Sequence, residues 1–244
     1  MLSFERIQRI DFMPFNNNYK KAITFSFDDG NIDDVRLIEI LNKYNLKATF
    51  NLNSSMLADN FIWNYDGVKE VHHINFSEYP RLYDGHEVAS HTVRHPHLES
   101  LSYLAKKNEI QLDQIYLKAL YGYDICGMAL PFGSYDDEVV KVLKELNILY
   151  CRTTKSTYKF NIPDCLPLLH PTCHFRYKEL DKLTDEFLNA QNDGDMLFYI
   201  WGHSYELVTE EDWQKFEEFC SKISNRDDIY YCTNKEAILN HTNL

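Results

Sequence analysis

The chain has 244 residues, 44% of them hydrophobic and 25% charged, which suits a single globular α/β domain over residues 1–244 with a substantial buried core. Its 37 acidic side chains outnumber 25 basic ones, for a net charge of -12, and no basic cluster relieves the excess. That balance argues against nucleic acid or another polyanion as partner and favours a neutral or cationic substrate.

Residues 1–6, Met1-Leu2-Ser3-Phe4-Glu5-Arg6, lack the apolar run of a signal peptide, and no later segment is long and apolar enough to span a bilayer. The expectation is a cytoplasmic chain with no membrane partner. Residues 21–27 then read as a strand, 33–44 as a helix with Val35, Ile38 and Leu41 near one face, and 47–52 as a second strand. Between 53 and 84 no regular element is predicted, although Trp63, Tyr65, His72, His73, Phe76 and Tyr79 crowd the stretch. Those aromatic residues either pack the loop onto the domain or stack on sugar rings.

Further strands are predicted over 87–89, 126–130, 148–153, 196–201 and 229–232, with helices such as 136–146 and 177–190 between them. The alternation implies a parallel α/β architecture. No repeat or Gly/Ser-rich linker divides it. The six cysteines, Cys126, Cys151, Cys165, Cys173, Cys220 and Cys232, form no Cys-x-x-Cys pair and read as free thiols, several within strands.

The first strand runs into Asp28-Asp29-Gly30, and a His-x-x-x-His pair, His91 and His95, follows another strand. Adjacent residues at a strand end point different ways, so one aspartate is free to bind a metal while the other serves as a base. Two imidazoles and a carboxylate are a common catalytic zinc set, because three protein ligands leave the ion open to water and substrate. Taken singly, Asp-Asp-Gly is also a turn or helix cap, and the histidines are also a surface pair turned out of helical geometry by Pro96. The joint order is what carries weight. Each element follows an apolar strand, and C-terminal strand ends are where such folds assemble their sites.

Four segments in that order resemble the motifs of the polysaccharide deacetylases, the carbohydrate esterase family four or chitooligosaccharide-deacetylase homology domain. They are Thr24-Phe25-Ser26-Phe27-Asp28-Asp29-Gly30, the run from Gly85 to Pro96 that holds Ser90-His91-Thr92-Val93-Arg94-His95, then Leu130-Pro131-Phe132-Gly133-Ser134-Tyr135, and Leu197-Phe198-Tyr199-Ile200-Trp201-Gly202-His203. The resemblance covers a core of about residues 20–235 and implies a distorted (β/α) barrel of about seven parallel strands.

It also implies that Asp29, His91 and His95 hold a divalent metal, zinc first with cobalt or nickel as alternatives, while Asp28 is general base and His203 general acid. The backbone N–H of Phe132 would stabilise the oxyanion, and Trp201, Leu197 and Tyr205 are candidates for an acetyl pocket. His97, His170 and His174 have no place in the pattern and read as structural, although the loop from Leu168 to His174 could face the site. The implied activity is removal of an N- or O-acetyl group from an acetylated carbohydrate. The alternatives are hydrolysis of a small non-sugar amide, or a carbohydrate-binding scaffold without catalysis. No oligomeric state is implied.

The pattern is broken in two places, both at the support of the base. Ala129 stands where many members carry an arginine, and the Asp-x-x-Asp-aromatic motif that partners it is missing between Leu149 and Tyr177. The expectation is that Arg152 or His174 takes over part of that role.

Overall fold

The computed structural model describes residues 15–16, 19–57, 62–163, 165–191 and 194–239. Residues 1–6, on which the leader reading rests, lie outside them. In chain order the elements are β1 (Lys21–Asp29), α1 (Asp34–Lys43), β2 (Ala48–Leu52), β3 (Ile62–Tyr65), β4 (Lys69–His72), β5 (Glu87–Ser90), α2 (Tyr103–Tyr121), β6 (Gly127–Ala129) and α3 (Asp137–Glu145). They continue as β7 (Tyr150–Arg152), β8 (Cys173–His174), α4 (Leu180–Asn189), β9 (Met196–Gly202), α5 (Glu210–Ile223), β10 (Ile229–Tyr231) and α6 (Asn234–Leu239).

The period-two alternation of β1 organises everything around it. Ile23, Phe25 and Phe27 face the helical layer, where they join Leu37 and Leu41 of α1 and Phe216, Phe219 and Ile223 of α5 in the main core. Phe25 meets Phe219 edge-on at 6.2 Å, and Phe27 meets Phe216 edge-on at the same 6.2 Å. Each phenylalanine buried in this way contributes about 1.5–3 kcal/mol. The intervening Thr24, Ser26 and Asp28 point to the opposite face, and all three are buried. A strand that buries polar residues on one face has a polar interior to fill, and here that interior belongs to a barrel.

Parallel pairing runs β7-β6-β5-β2-β1-β9-β8, and β10 pairs with the start of β1. Leu169 hydrogen-bonds β7 through Cys151 and Thr153, and the chain continues from it into β8 beside β9. The sheet therefore curls back on itself as a distorted (β/α) barrel with seven parallel strands on the closing path. Four buried cysteines, Cys151, Cys173, Cys220 and Cys232, pack as small apolar groups, and all six are free thiols. No helix among the described residues is long and apolar enough to cross a membrane.

The structure departs from the sequence expectations in instructive ways. β1 extends through Asp28 and Asp29, which pair with Asn51 and Leu52 of β2. The aspartates are thus strand residues, held in register by ladder hydrogen bonds. The predicted irregular stretch contains an antiparallel hairpin, β3 with β4. Its alternation of Trp63 and Tyr65 inward against Ile62 and Asn64 outward is too short a pattern to separate from loop. Two long helices, α2 and α5, lie where no element was predicted, and α1 buries Leu37, Ile38, Ile40 and Leu41 while Val35 is only half-buried.

Candidate active site

Three side chains from two strand ends meet at the C-terminal mouth of the barrel. Asp29 Oδ1 lies 3.6 Å from His91 Nε2 and 3.6 Å from His95 Nε2. His91 Nδ1 is 2.8 Å from the carbonyl oxygen of Ala129, so this nitrogen carries a proton and Nε2 is the ring atom turned toward Asp29. Burial lowers the His95 imidazole to about 4, with the neighbouring His91 acting in the same direction and Asp29 against it, so that ring is neutral at pH 7. A carboxylate and two imidazoles with converging donor atoms fit a divalent cation.

This convergence is built on uncommon backbone. Asp29 (φ 77°), His95 (φ 55°) and Phe132 (φ 59°) all adopt the left-handed region that non-glycine residues visit rarely. Thr92 Oγ1 accepts the N–H of His95 at 3.1 Å and fixes the turn that swings the second imidazole back toward the first. Gly30 lets β1 end tightly: its φ is +67°, and a Cβ there would sit 2.7 Å from a Leu52 methyl.

Asp28 lies on the interior face, beside the Asp29–His91–His95 cluster but bound to different partners. Arg152 Nη2 donates to both of its oxygens, and Asn51 Nδ2 donates to Oδ1 at 2.8 Å. The guanidinium also donates through Nε to Ser26 Oγ at 3.1 Å and lies 4.8 Å over the Trp201 ring. Burial raises the Asp28 carboxyl, but the Arg152 guanidinium above all, with its hydrogen bonds, outweighs it and holds the group lowered to about 2. It is a carboxylate throughout the neutral range.

His203 follows β9 and faces both aspartates, its Nε2 lying 3.9 Å from Asp28 Oδ2 and 3.9 Å from Asp29 Oδ2. Glu206 Oε2 accepts the His203 backbone N–H at 3.0 Å and lies 3.3 Å from Nδ1, which leaves Nε2 turned into the site. Desolvation lowers the imidazole, but the Glu206 hydrogen bond and the Asp29 and Asp28 charges prevail and raise it to about 9. His174 Nε2 lies 2.9 Å from the same Glu206 oxygen. Its Nδ1 accepts the Arg176 N–H at 3.1 Å, so Nε2 bears the proton, and hydrogen bonding accounts for the whole His174–Glu206–His203 cluster.

With this geometry in hand, comparison with known proteins decides the family. The profile described as polysaccharide deacetylase matches residues 15–151. The chain belongs to the polysaccharide deacetylase family. Peptidoglycan-N-acetylglucosamine deacetylase PgdA of Listeria monocytogenes is 30% identical over 123 residues, which is 50% of this chain and 23% of that protein. The match thus spans less than a quarter of that relative's length. A Mycobacterium smegmatis structure grouped with the polysaccharide deacetylases superposes with a TM-score of 0.63 at 16% identity, covering 94% of each chain. BA3943 of Bacillus anthracis, a family-four carbohydrate esterase pseudoenzyme, does so with a TM-score of 0.51 at 18% identity, covering 90% of this chain and 66% of its own. These two likenesses show the fold. Since one of them is to a pseudoenzyme, the chemistry of this family member has to be argued from its side chains.

Of the residues singled out in the sequence, Asp28, Asp29, His91, His95 and His203 meet within one cluster of contacts. The Phe132 loop stands beside them, its ring 4.5 Å from that of His95 and stacked at 3.8 Å on His97. Trp201 lies against Arg152 and edge-on to His174, and Tyr205 stacks on His203 at 4.8 Å under Trp63 and Tyr65 of the hairpin. The hairpin aromatics therefore pack onto the barrel mouth.

Two expectations need correction. Leu197 is not at the site: it pairs with Ala22 near the start of β1 and packs with Phe15, Tyr150 and Tyr199 in the lower barrel. The strand needs six residues to run from Leu197 to His203, about 20 Å of extended chain. His174 does not support Asp28, because Glu206 takes its imidazole. Sequence reasoning missed Glu206, Asn51 and Ser26. The His203-x-x-Glu206 spacing, a capping pattern at a strand end, and the polar alternate positions of β1 and β2 were the available signals.

Proposed function

We propose that the protein is a metal-dependent deacetylase that hydrolyses an acetyl group, as amide or ester, from an acetylated sugar or oligosaccharide. One observation carries this reading: a His-His-Asp cation set adjoins a separate ionised carboxylate and a separate imidazole at one strand-end cluster. Asp29, His91 and His95 would hold the cation, zinc first with cobalt or nickel as alternatives. When bound there, it supplies Lewis acidity to an acetyl carbonyl and to water.

Asp28 takes the proton of the attacking water. Arg152 and Asn51 grip its carboxylate, so its direction is set before substrate arrives. His203 hands its Nε2 proton to the departing amine or alkoxide, and Glu206 holds the ring in the orientation that transfer needs. The Phe132 N–H faces the carbonyl oxygen as it gains negative charge. Trp201 and Tyr205 wall the position next to the transferring proton. The name of the Listeria relative makes an N-acetylglucosamine glycan the first substrate to try.

The test is acetate release by the zinc-loaded protein across N- and O-acetylated oligosaccharides, with Asp28→Asn as control. Turnover confined to the native chain supports the reading. Full metal occupancy without acetate from any sugar would move the assignment to a non-sugar amide or to a binding role.

A further inference from the structure

The β1–β9 ladder stops at Phe27 paired with Gly202, one residue short of both Asp28 and His203. Beyond that point strand pairing no longer sets the distance between the segment that carries the two aspartates and the one that carries the imidazole. A buried polar link takes over. Asp34, the first residue of α1, accepts the Ser204 hydroxyl on Oδ1 and the Tyr83 hydroxyl on Oδ2 at 2.8 Å. Ser204 directly follows His203, and its Oγ also lies 3.0 Å from Asn31 Oδ1, two residues past Asp29.

Asp34, Asn31 and Ser204 are all 0% exposed. A carboxylate is a costly way to fill a buried site unless its direction matters, because it must be desolvated and then satisfied by donors. Here its donors come from separate segments, the 203–206 turn and the segment before β5, while its own N–H bonds Asn31 O at 3.0 Å. Burial pushes the carboxyl up to about 7, against the pull of the Ser204 and Tyr83 hydrogen bonds, in keeping with a group kept from water.

We propose that Asp34 is a positioning residue that, through Ser204, holds the His203 turn against the Asp28–Asp29 segment and so fixes the spacing between proton donor and proton acceptor. The proposal rests on the deacetylase reading for its effect on turnover, and on geometry alone for its effect on structure. Misplacing a reacting group by about 1 Å costs on the order of a hundredfold in rate. Ser204→Ala, which removes one hydroxyl, should therefore lower kcat by about ten- to a hundredfold, with KM and bound zinc within about twofold of wild type.

Asp34→Ala should do the same, and the double variant should be no worse than about threefold below the poorer single, because both changes cut one link. A merely structural role would lower Tm and leave kcat at assay temperature untouched. Unchanged kcat in Ser204→Ala, or multiplicative losses in the double variant, would overturn the proposal. If the wild type releases no acetate, the deacetylase reading fails separately, and crystal structures decide the link: a displaced His203 ring in Ser204→Ala sustains it, and an unmoved ring sinks it.

Discussion

Arg152 and Ala129 are register partners in the β7–β6 ladder. In a parallel pair the two side chains share a face, so the guanidinium of Arg152 enters the barrel from beside the position where the family pattern has its arginine. Arg152 reaches both oxygens of Asp28 at 0% exposure.

Breaking this pair leaves a buried carboxylate without its counter-charge. Arg152→Met should cost about 3–5 kcal/mol of unfolding free energy, measured by denaturant titration, and should lower kcat by about a hundredfold or more. The pH dependence has a definite sign. Asp28 is held below its unfolded value of 3.8, at about 2, so its stabilisation is complete above pH 3.8 and is lost as pH falls toward 2. Without Arg152 the carboxyl titrates higher, and the acid-unfolding midpoint should move up.

Asp28 and the cation set should separate on mutation. Asp28→Asn should lower acetate release by about a hundred- to ten-thousandfold while zinc stoichiometry stays at one per chain, whereas His91→Ala should lose both metal and turnover. Full activity in Asp28→Asn would remove it from the role of base.

Glu206→Gln should keep the shape of the 203–206 turn but take away the charge that raises His203. A donor must be protonated to act, so the wild-type rate should fall as pH rises through about 9. In the variant that alkaline limb should shift toward the ordinary imidazole value, with a lower kcat at its optimum. An alkaline limb identical in the two proteins would assign it to another group.

Chelation should abolish turnover, and zinc, cobalt or nickel should restore it to different extents. Because the donor set is already convergent, cation binding should raise Tm with concentration, and at a hundred times Kd the gain is about 2.7 kcal/mol. A melting temperature indifferent to zinc would count against a preformed site at Asp29, His91 and His95.

Much of this was legible in the linear chain. Parallel strands announce themselves as short apolar runs, and each of the seven predicted strands overlaps an observed one. The Asp-Asp-Gly ending and the two histidines carried enough order to single out Asp29, His91 and His95, whose donor atoms the fold brings together, before any geometry. The β3–β4 hairpin and the two-residue β8 were not legible, because four residues or fewer give no usable period and their pairing comes from contacts distant in sequence.

The sequence by itself determined which residue types stand at the strand ends, since alternation and local motif spacing are properties of neighbouring residues. Only the tertiary structure decided what supports them. Arg152 reaches both oxygens of Asp28 across 124 positions, and the Ser204 hydroxyl reaches Asp34 across 170, each in a buried site. A buried charge takes its partner from whichever element the fold brings within about 3 Å. Strand order and closure set that adjacency, and no local pattern encodes it.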